Sequence, residues 1–162
     1  MLESLLHHKK AVKEYLCALL VTDDRVETAL WESDADNKTK VLKVAKATYQ
    51  GEWETAIDAA DKAVSEIEQG LPEGEELKKT VFGLYPDWLV EDRIKDNYLK
   101  KLKQLTTALS LTPLGFVELP IAIARLIQTD EGTQPTVILA GIEAKHIVVS
   151  LFKIGKLIHT VT

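Results

Sequence analysis

The sequence has 162 residues, of which 46% are hydrophobic and 28% are charged, and its net charge is −5. These values are typical of one globular domain that can bury a core, and no basic excess favours a nucleic-acid partner. The single cysteine, Cys17, excludes an internal disulfide framework and a cysteine-built metal site. No apolar run reaches the roughly 18 residues of a membrane span, and no signal-peptide pattern is present, so we expect a cytoplasmic chain without direct membrane insertion.

The chain begins with a basic, partly apolar segment and then enters a series of strands. Leu2 to Lys10 predicts a short helix, and residues 1–14 are expected to serve as a lead-in. Cys17 opens the first strand and is expected to be a small buried residue. Lysines in the third strand favour a position at the sheet edge. The three strands are predicted, between polar turns, at 17–22, 26–31 and 41–47.

Helices and single strands alternate along the middle of the chain. Apolar residues recur at spacings of three and four from 52 to 70, which predicts a helix that Gly70 ends. Asp96 is the expected N-cap of a second helix that extends to 109. The remaining elements are a strand at 79–84, a strand at 115–119, a short helix at 121–127 and a hinge at 130–135.

The last quarter of the chain repeats the plan of the first three strands. Its apolar runs, separated by a break at Gly141 to Lys145, predict strands at 137–139, 147–152 and 157–161. The full order is therefore β-β-β-α-β-α-β-α followed by a second three-stranded meander. This order predicts an α/β chain with a mixed sheet, in which the first three strands are antiparallel and later strands are added in parallel.

Several stretches resemble the actin-like ATPase superfamily, which has a duplicated ribonuclease-H-like fold. CALLVTDDRVETALWES resembles its first hairpin, and TVILAGIEAKHIVVSLFKIGKLIHT is similar to the segment that opens its second half. KKTVFGLYPDWL and residues 99–127 look like the type IV pilus assembly and cell-division branch, closest to uncharacterised bacterial members. The resemblance implies a first domain at 15–130 and the opening meander of a second, incomplete half at 136–162.

In that superfamily two hairpin turns hold the phosphates of ATP. Each turn has a glycine, which lets the backbone approach the phosphates closely, and an Asp, which binds the water attached to Mg²⁺. The first turn of this chain contains Asp23 and Asp24 but no glycine. In the second turn Gly141 stands about where the family has Asp, and Glu143 stands about where it has Gly. Because Glu143 puts an anion where a phosphate would lie, we expect degenerate nucleotide motifs, no catalytic residue and no cofactor. ATP with Mg²⁺ is the alternative.

Other groups of residues indicate a function less specifically. A ribonuclease-H-like sheet brings the ends of its first and fourth strands together, which would place Asp23 or Asp24 near Asp87, as in metal-dependent nucleases. The histidines, at positions 7, 8, 146 and 159, lack the spacing of a zinc site. Trp88, which follows a proline in a loop, is the expected exposed anchor for a protein partner.

These observations predict a non-catalytic actin-like scaffold or assembly module of a bacterial pilus or division-type envelope system. It would act through protein partners or self-association, because a terminal meander leaves strand edges and one sheet face poorly covered. The alternatives are an actin-like ATPase that is nucleotide-dependent when full length and, less favoured, a ribonuclease-H-like nuclease.

Overall fold

A computed structural model describes residues 13–36 and 38–162, and strands make up much of this part of the chain. The first strands alternate buried and less buried residues, as expected where one face of a sheet covers a core. In chain order the strands are β1 (Glu14–Val21), β2 (Arg25–Ser33), β3 (Thr39–Thr48), β4 (Lys79–Leu84), β5 (Leu89–Val90), β6 (Arg93–Ile94), β7 (Thr112–Glu118), β8 (Val137–Ile142), β9 (Ile147–Lys153) and β10 (Lys156–Val161).

Helices connect the later strands. They are α1 (Trp53–Glu68), α2 (Asp96–Ala108) and α3 (Leu119–Glu131), and a 3₁₀ turn spans Pro86–Trp88. Helix α3 has Pro120 in its first turn, where the missing N–H costs nothing, and ends at Gly132, which adopts the left-handed conformation with φ 71°. No helix among the described residues is long and apolar enough to cross a membrane.

Within the described residues, β1, β2, β3, β4 and β7 form one sheet, here called the main sheet, in the order β3-β2-β1-β4-β7. Strands β1 to β3 are antiparallel, whereas β4 pairs with β1 in parallel and β7 pairs with β4 in parallel. Strands β8, β9 and β10 form a separate antiparallel sheet, here called the meander. The α/β fold with a mixed sheet that the sequence predicted is therefore confirmed. Strand β3 lies at the edge of the main sheet, as expected.

The core lies between one face of the main sheet and helices α1 and α2. Cys17 and Leu19 of β1 are fully buried, as are Ala60 and Ile67 of α1 and Leu105 of α2. Each buried leucine or isoleucine contributes about 1.5–3 kcal/mol relative to an exposed one. The opposite face of the main sheet is partly covered by α3 and otherwise forms an open groove.

The structure corrects several predicted boundaries. Asp96 is the first residue of α2 rather than its N-cap, which is Lys95. Strand β7 begins at Thr112, before the predicted 115, and α3 extends to Glu131 rather than ending at 127. Gly141 lies inside β8, opposite Val148, so the predicted break is shorter than the segment from Gly141 to Lys145. The predicted helix from Leu2 to Lys10 lies outside the described residues.

Candidate functional site

The pairing of β1 with β4 sets the position of the candidate site. Leu20 is the partner of Gly83 in this parallel pair, so the two strands end side by side. The turn from Thr22 to Arg25, here called the first turn, therefore lies next to the segment from Tyr85 to Trp88. In open α/β sheets, ligands bind at the carboxyl ends of parallel strands, which is the edge where these two segments meet.

The first turn is held by its own side chains and by the end of β3. The Thr22 hydroxyl lies 3.2 Å from Asp24 Oδ1, and Arg25 Nη1 donates to the same oxygen at 3.1 Å. The Tyr49 backbone N–H donates to the Asp24 carbonyl at 2.8 Å, and the Tyr49 hydroxyl donates to the Thr22 carbonyl. Asp24 therefore serves to fix the shape of the turn.

The turn between β8 and β9, from Glu143 to His146 and here called the second turn, packs directly onto the first turn. Its own closure is the hydrogen bond from Glu143 N to the His146 carbonyl at 3.0 Å. Asp23 Oδ2 accepts a hydrogen bond from the Lys145 backbone N–H at 3.2 Å and lies 3.0 Å from His146 Nδ1. Because a carboxylate only accepts, the proton of this contact belongs to Nδ1. His146 Nε2 is buried and has no hydrogen-bond partner among the described residues.

Glu143 is the most deeply buried charged group of the site. Its side chain is 1% exposed, and Oε1 accepts a hydrogen bond from the Tyr85 hydroxyl. Oε2 lies 3.6 Å from Arg25 Nη1, which makes an ion pair, yet it has no hydrogen bond among the described residues. Burial, and then the hydrogen bond to Glu143, raise the pKa of Tyr85 above its usual value, so the phenol keeps its proton and remains a donor.

Gly141 contacts the same tyrosine from β8. A Cβ added at Gly141 would lie 3.3 Å from Tyr85 Cε1, which is a tight contact. The absence of a side chain at this position therefore lets the Tyr85 ring approach the meander. This packing gives Gly141 a structural role, and its place in a degenerate nucleotide site, about where the superfamily has Asp, stays a prediction.

The segment after β4 completes the site with one further carboxylate and two stacked rings. Asp87 Oδ1 is buried and has no hydrogen-bond partner among the described residues. Trp88 stacks on Tyr98 of α2, with ring centroids 4.3 Å apart and planes 12° from parallel. Burial, followed by the charges of Asp87 and Asp23, raises the pKa of Tyr98 above its usual value.

The structure thus brings Asp23 and Glu143 together where the two turns pack beside the end of β4, and this junction is here called the inter-turn cleft. Sequence reasoning missed Tyr85, Arg25 and His146, which hold the two carboxylates. The predicted order of the strands could have indicated that Tyr85 belongs to the site, because Tyr85 follows the strand that was expected to lie beside β1. Trp88 is half-buried against Tyr98, and its contact with a partner stays a prediction.

Among the described residues, no group of three or more His, Cys, Asp or Glu side chains is close enough to hold a metal ion by itself. His159 lies in β10 and is exposed, whereas His7 and His8 lie outside the described residues. The nuclease alternative stays a prediction.

The class of fold follows from this arrangement. A mixed sheet of order β3-β2-β1-β4-β7, with a meander after α3, is the plan of the actin-like, ribonuclease-H-like fold, and solved structures of that fold match the chain. No protein-family profile matches the chain, and no curated protein sequence matches it.

Individual solved structures are similar to most of this chain. An Aquifex aeolicus PPX-GPPA enzyme matches with TM-score 0.50 and 11% identity, over 93% of this chain and 52% of the other. An exopolyphosphatase from Cytophaga hutchinsonii has TM-score 0.53 and 7% identity, over 91% and 49%. An inorganic polyphosphate/ATP-glucomannokinase from Arthrobacter sp. strain KM has TM-score 0.51 and 16% identity, over 89% and 60%. The chain therefore spans about half the length of these structures.

These similarities correct one expectation from the sequence. The expectation of no cofactor is contradicted, because structures with this fold are described as an exopolyphosphatase and as a polyphosphate/ATP-glucomannokinase. At these identities the likeness establishes the fold alone. The relation to the pilus and division branch likewise stays a prediction.

Proposed function

We propose that this chain supplies one side of a phosphate-acting site of the actin-like type. The ligand would be a polyphosphate chain, or the phosphates of a nucleotide, bound together with a divalent cation in the inter-turn cleft. The observation that carries the proposal is the convergence of the two turns and the end of β4 at the carboxyl edge of the main sheet. The similar structures, which act on phosphate compounds by description, support the same class of ligand.

The charges of the cleft favour a phosphate bound with a cation over a free phosphate. Asp23, Glu143 and Asp87 would repel an anion that entered alone. Mg²⁺ prefers oxygen ligands and is commonly held by one or two carboxylates plus the phosphates of the substrate. Asp87 Oδ1 is a buried oxygen without a hydrogen-bond partner among the described residues, so it fits this role. Asp87 and Asp23 are therefore the residues that would hold the cation.

One positive side chain of the cleft would hold the phosphate itself. Arg25 presents a guanidinium that is 29% exposed, and such a group binds phosphate oxygens with two parallel hydrogen bonds. The Lys145 backbone N–H and His146 Nδ1 already contact Asp23, so they would orient that carboxylate rather than bind the phosphate. A bound divalent cation would neutralise charge that develops on the phosphate oxygens during transfer.

Calorimetry with inorganic tripolyphosphate tests the proposal. We expect saturable binding that requires Mg²⁺ and that weakens at least tenfold in Arg25→Gln and in Asp87→Asn. The matched controls are Lys62→Gln and Asp58→Asn on α1, which make the same changes of charge away from the cleft. The proposal would be contradicted if no binding were seen, or if the cleft variants bound as tightly as the control variants.

Protein association is the second candidate function, and two apolar surfaces support it. Ile138 faces Leu151 and Ile142 faces Ile147 across the meander, and all four side chains are exposed. The open face of the main sheet carries an apolar groove of about 960 Å³. A partner from a pilus or division-type envelope system would use these surfaces rather than the cleft. Ultracentrifugation tests this candidate: a concentration-dependent oligomer that Ile142→Lys dissociates supports it, and a monomer at all concentrations opposes it.

A further inference from the structure

Glu143 lies between the two turns, where the proposed function would place a phosphate group. Its carboxylate lies between the Tyr85 hydroxyl and the Arg25 guanidinium, and it is almost completely removed from solvent. We propose that the Glu143 carboxylate is an internal substitute for one phosphoryl group of the ligand, and that the ligand binds by displacing it. This inference rests on the proposed phosphate function and adds how the chain limits access to that site.

The contacts of Glu143 are those of a group that can be displaced. A buried carboxylate is ordinarily satisfied by several donors, because leaving a charged oxygen unpaired is costly. Glu143 Oε2 has no hydrogen bond among the described residues, and its ion pair with Arg25 is 3.6 Å long. Arg25 is also engaged by Glu27 at 2.6 Å and by Asp24 at 3.1 Å, so Glu143 holds only part of that guanidinium.

A phosphoryl group would satisfy the same donors more completely. It carries more negative charge than a carboxylate and has three acceptor oxygens. One oxygen would accept from the Tyr85 hydroxyl, and the others would be available to the Arg25 guanidinium. A carboxylate ligand offers no such gain over Glu143. The displacement therefore selects phosphate compounds over carboxylate compounds.

The position of Glu143 in the chain permits the displacement. It lies in the turn after β8, outside the ladder that pairs β8 with β9. Its backbone N–H bonds to the His146 carbonyl, which holds the turn in place while the side chain rotates. The packing of Gly141 against Tyr85 does not involve the carboxylate, so the meander can stay docked when Glu143 leaves the cleft.

Substitution of Glu143 tests the inference, with Mg²⁺ and inorganic tripolyphosphate as the probe. We expect Glu143→Ala to bind the probe at least tenfold more tightly than the unsubstituted chain. Glu143→Gln removes the charge but keeps the shape and a partner for Tyr85, so it is expected to bind with intermediate affinity. It also keeps the test decisive if Glu143→Ala does not fold. Glu54→Ala, an exposed acid in the first turn of α1, is the control for net charge.

The outcomes separate this inference from the proposed function. Tighter binding in both Glu143 variants, with no change in Glu54→Ala, supports the inference. Equal binding by the unsubstituted chain and the variants overturns the inference and leaves the phosphate function standing. Weaker binding in the variants also overturns it, because Glu143 would then act as a ligand of the cation. No binding by any folded variant overturns the inference together with the proposed function.

Discussion

Removal of a single hydroxyl measures how strongly the cleft is held together. Tyr85→Phe takes away the hydrogen bond to Glu143 Oε1 and changes nothing else in the ring. Because Oε2 already lacks a hydrogen bond among the described residues, the substitution leaves the buried carboxylate only its 3.6 Å ion pair with Arg25. An unsatisfied buried polar group costs about 1–3 kcal/mol, and more when it is charged, so we expect a loss of about 2–3 kcal/mol.

Urea denaturation followed by tryptophan fluorescence provides the assay. The midpoint is expected to fall while the slope stays unchanged, because the buried surface is the same. For a chain of this size, each kcal/mol lowers Tm by about 2–4 °C, so Tm should fall by about 4–12 °C. Tyr98→Phe is the control, since it removes the hydroxyl of another partly buried tyrosine, whose ring stacks on Trp88.

A double-mutant cycle separates the hydrogen bond from other effects of the substitution. In a Glu143→Leu background no carboxylate is left to satisfy, so Tyr85→Phe is expected to cost at least about 1 kcal/mol less than in the unsubstituted chain. An equal cost in both backgrounds, or a loss below about 0.5 kcal/mol in the single variant, would refute the reasoning.

Other positions of the chain allow independent checks. Gly141→Ala is expected to lower the free energy of unfolding by about 1–3 kcal/mol, because its Cβ would lie 3.3 Å from Tyr85. In the same denaturation assay, Gly83→Ala should change that free energy by less than about 0.5 kcal/mol, because the nearest neighbour of its Cβ is at 3.7 Å. Burial raises the pKa of the Cys17 thiol to about 11, so a thiol reagent at pH 8 should react with the unfolded chain and leave the folded chain unmodified. The pKa of Tyr85 is higher in the folded chain than in the unfolded chain, where it is about 10. The protonated phenol therefore stabilises the fold below about pH 10, and this contribution is lost as the pH rises further. Tyr85→Phe should flatten the alkaline part of the profile of stability against pH.

The sequence predicted the elements of the fold better than their ends. Apolar spacing located β4, α1 and the strands of the meander because burial on one face imposes a period on the residues. The predicted start of β7 at 115 is too late, because Pro113 lacks the N–H that a strand residue normally donates. Since β7 is the edge strand of the main sheet, its proline needs no donor on the open side, and the strand continues through it.

The candidate site was predictable only in part. The polar residues of the two turns are evident from the sequence, since turns between apolar runs attract Asp and Glu. Their partners come from far along the chain: Tyr85 and Glu143 are 58 residues apart, and Asp23 and His146 are 123 apart. Contacts of this kind depend on how the meander docks against the main sheet, and no local pattern of residues specifies that docking.

Nuclear magnetic resonance of the ¹⁵N-labelled chain, titrated with tripolyphosphate and Mg²⁺, tests the phosphate site most directly. We expect saturable shifts of the backbone amides of Thr22 to Arg25, Asp87, and Glu143 to His146, with the outer face of the meander unchanged. Shifts confined to other surfaces, or no saturable shift at millimolar ligand, would contradict a phosphate site between the two turns.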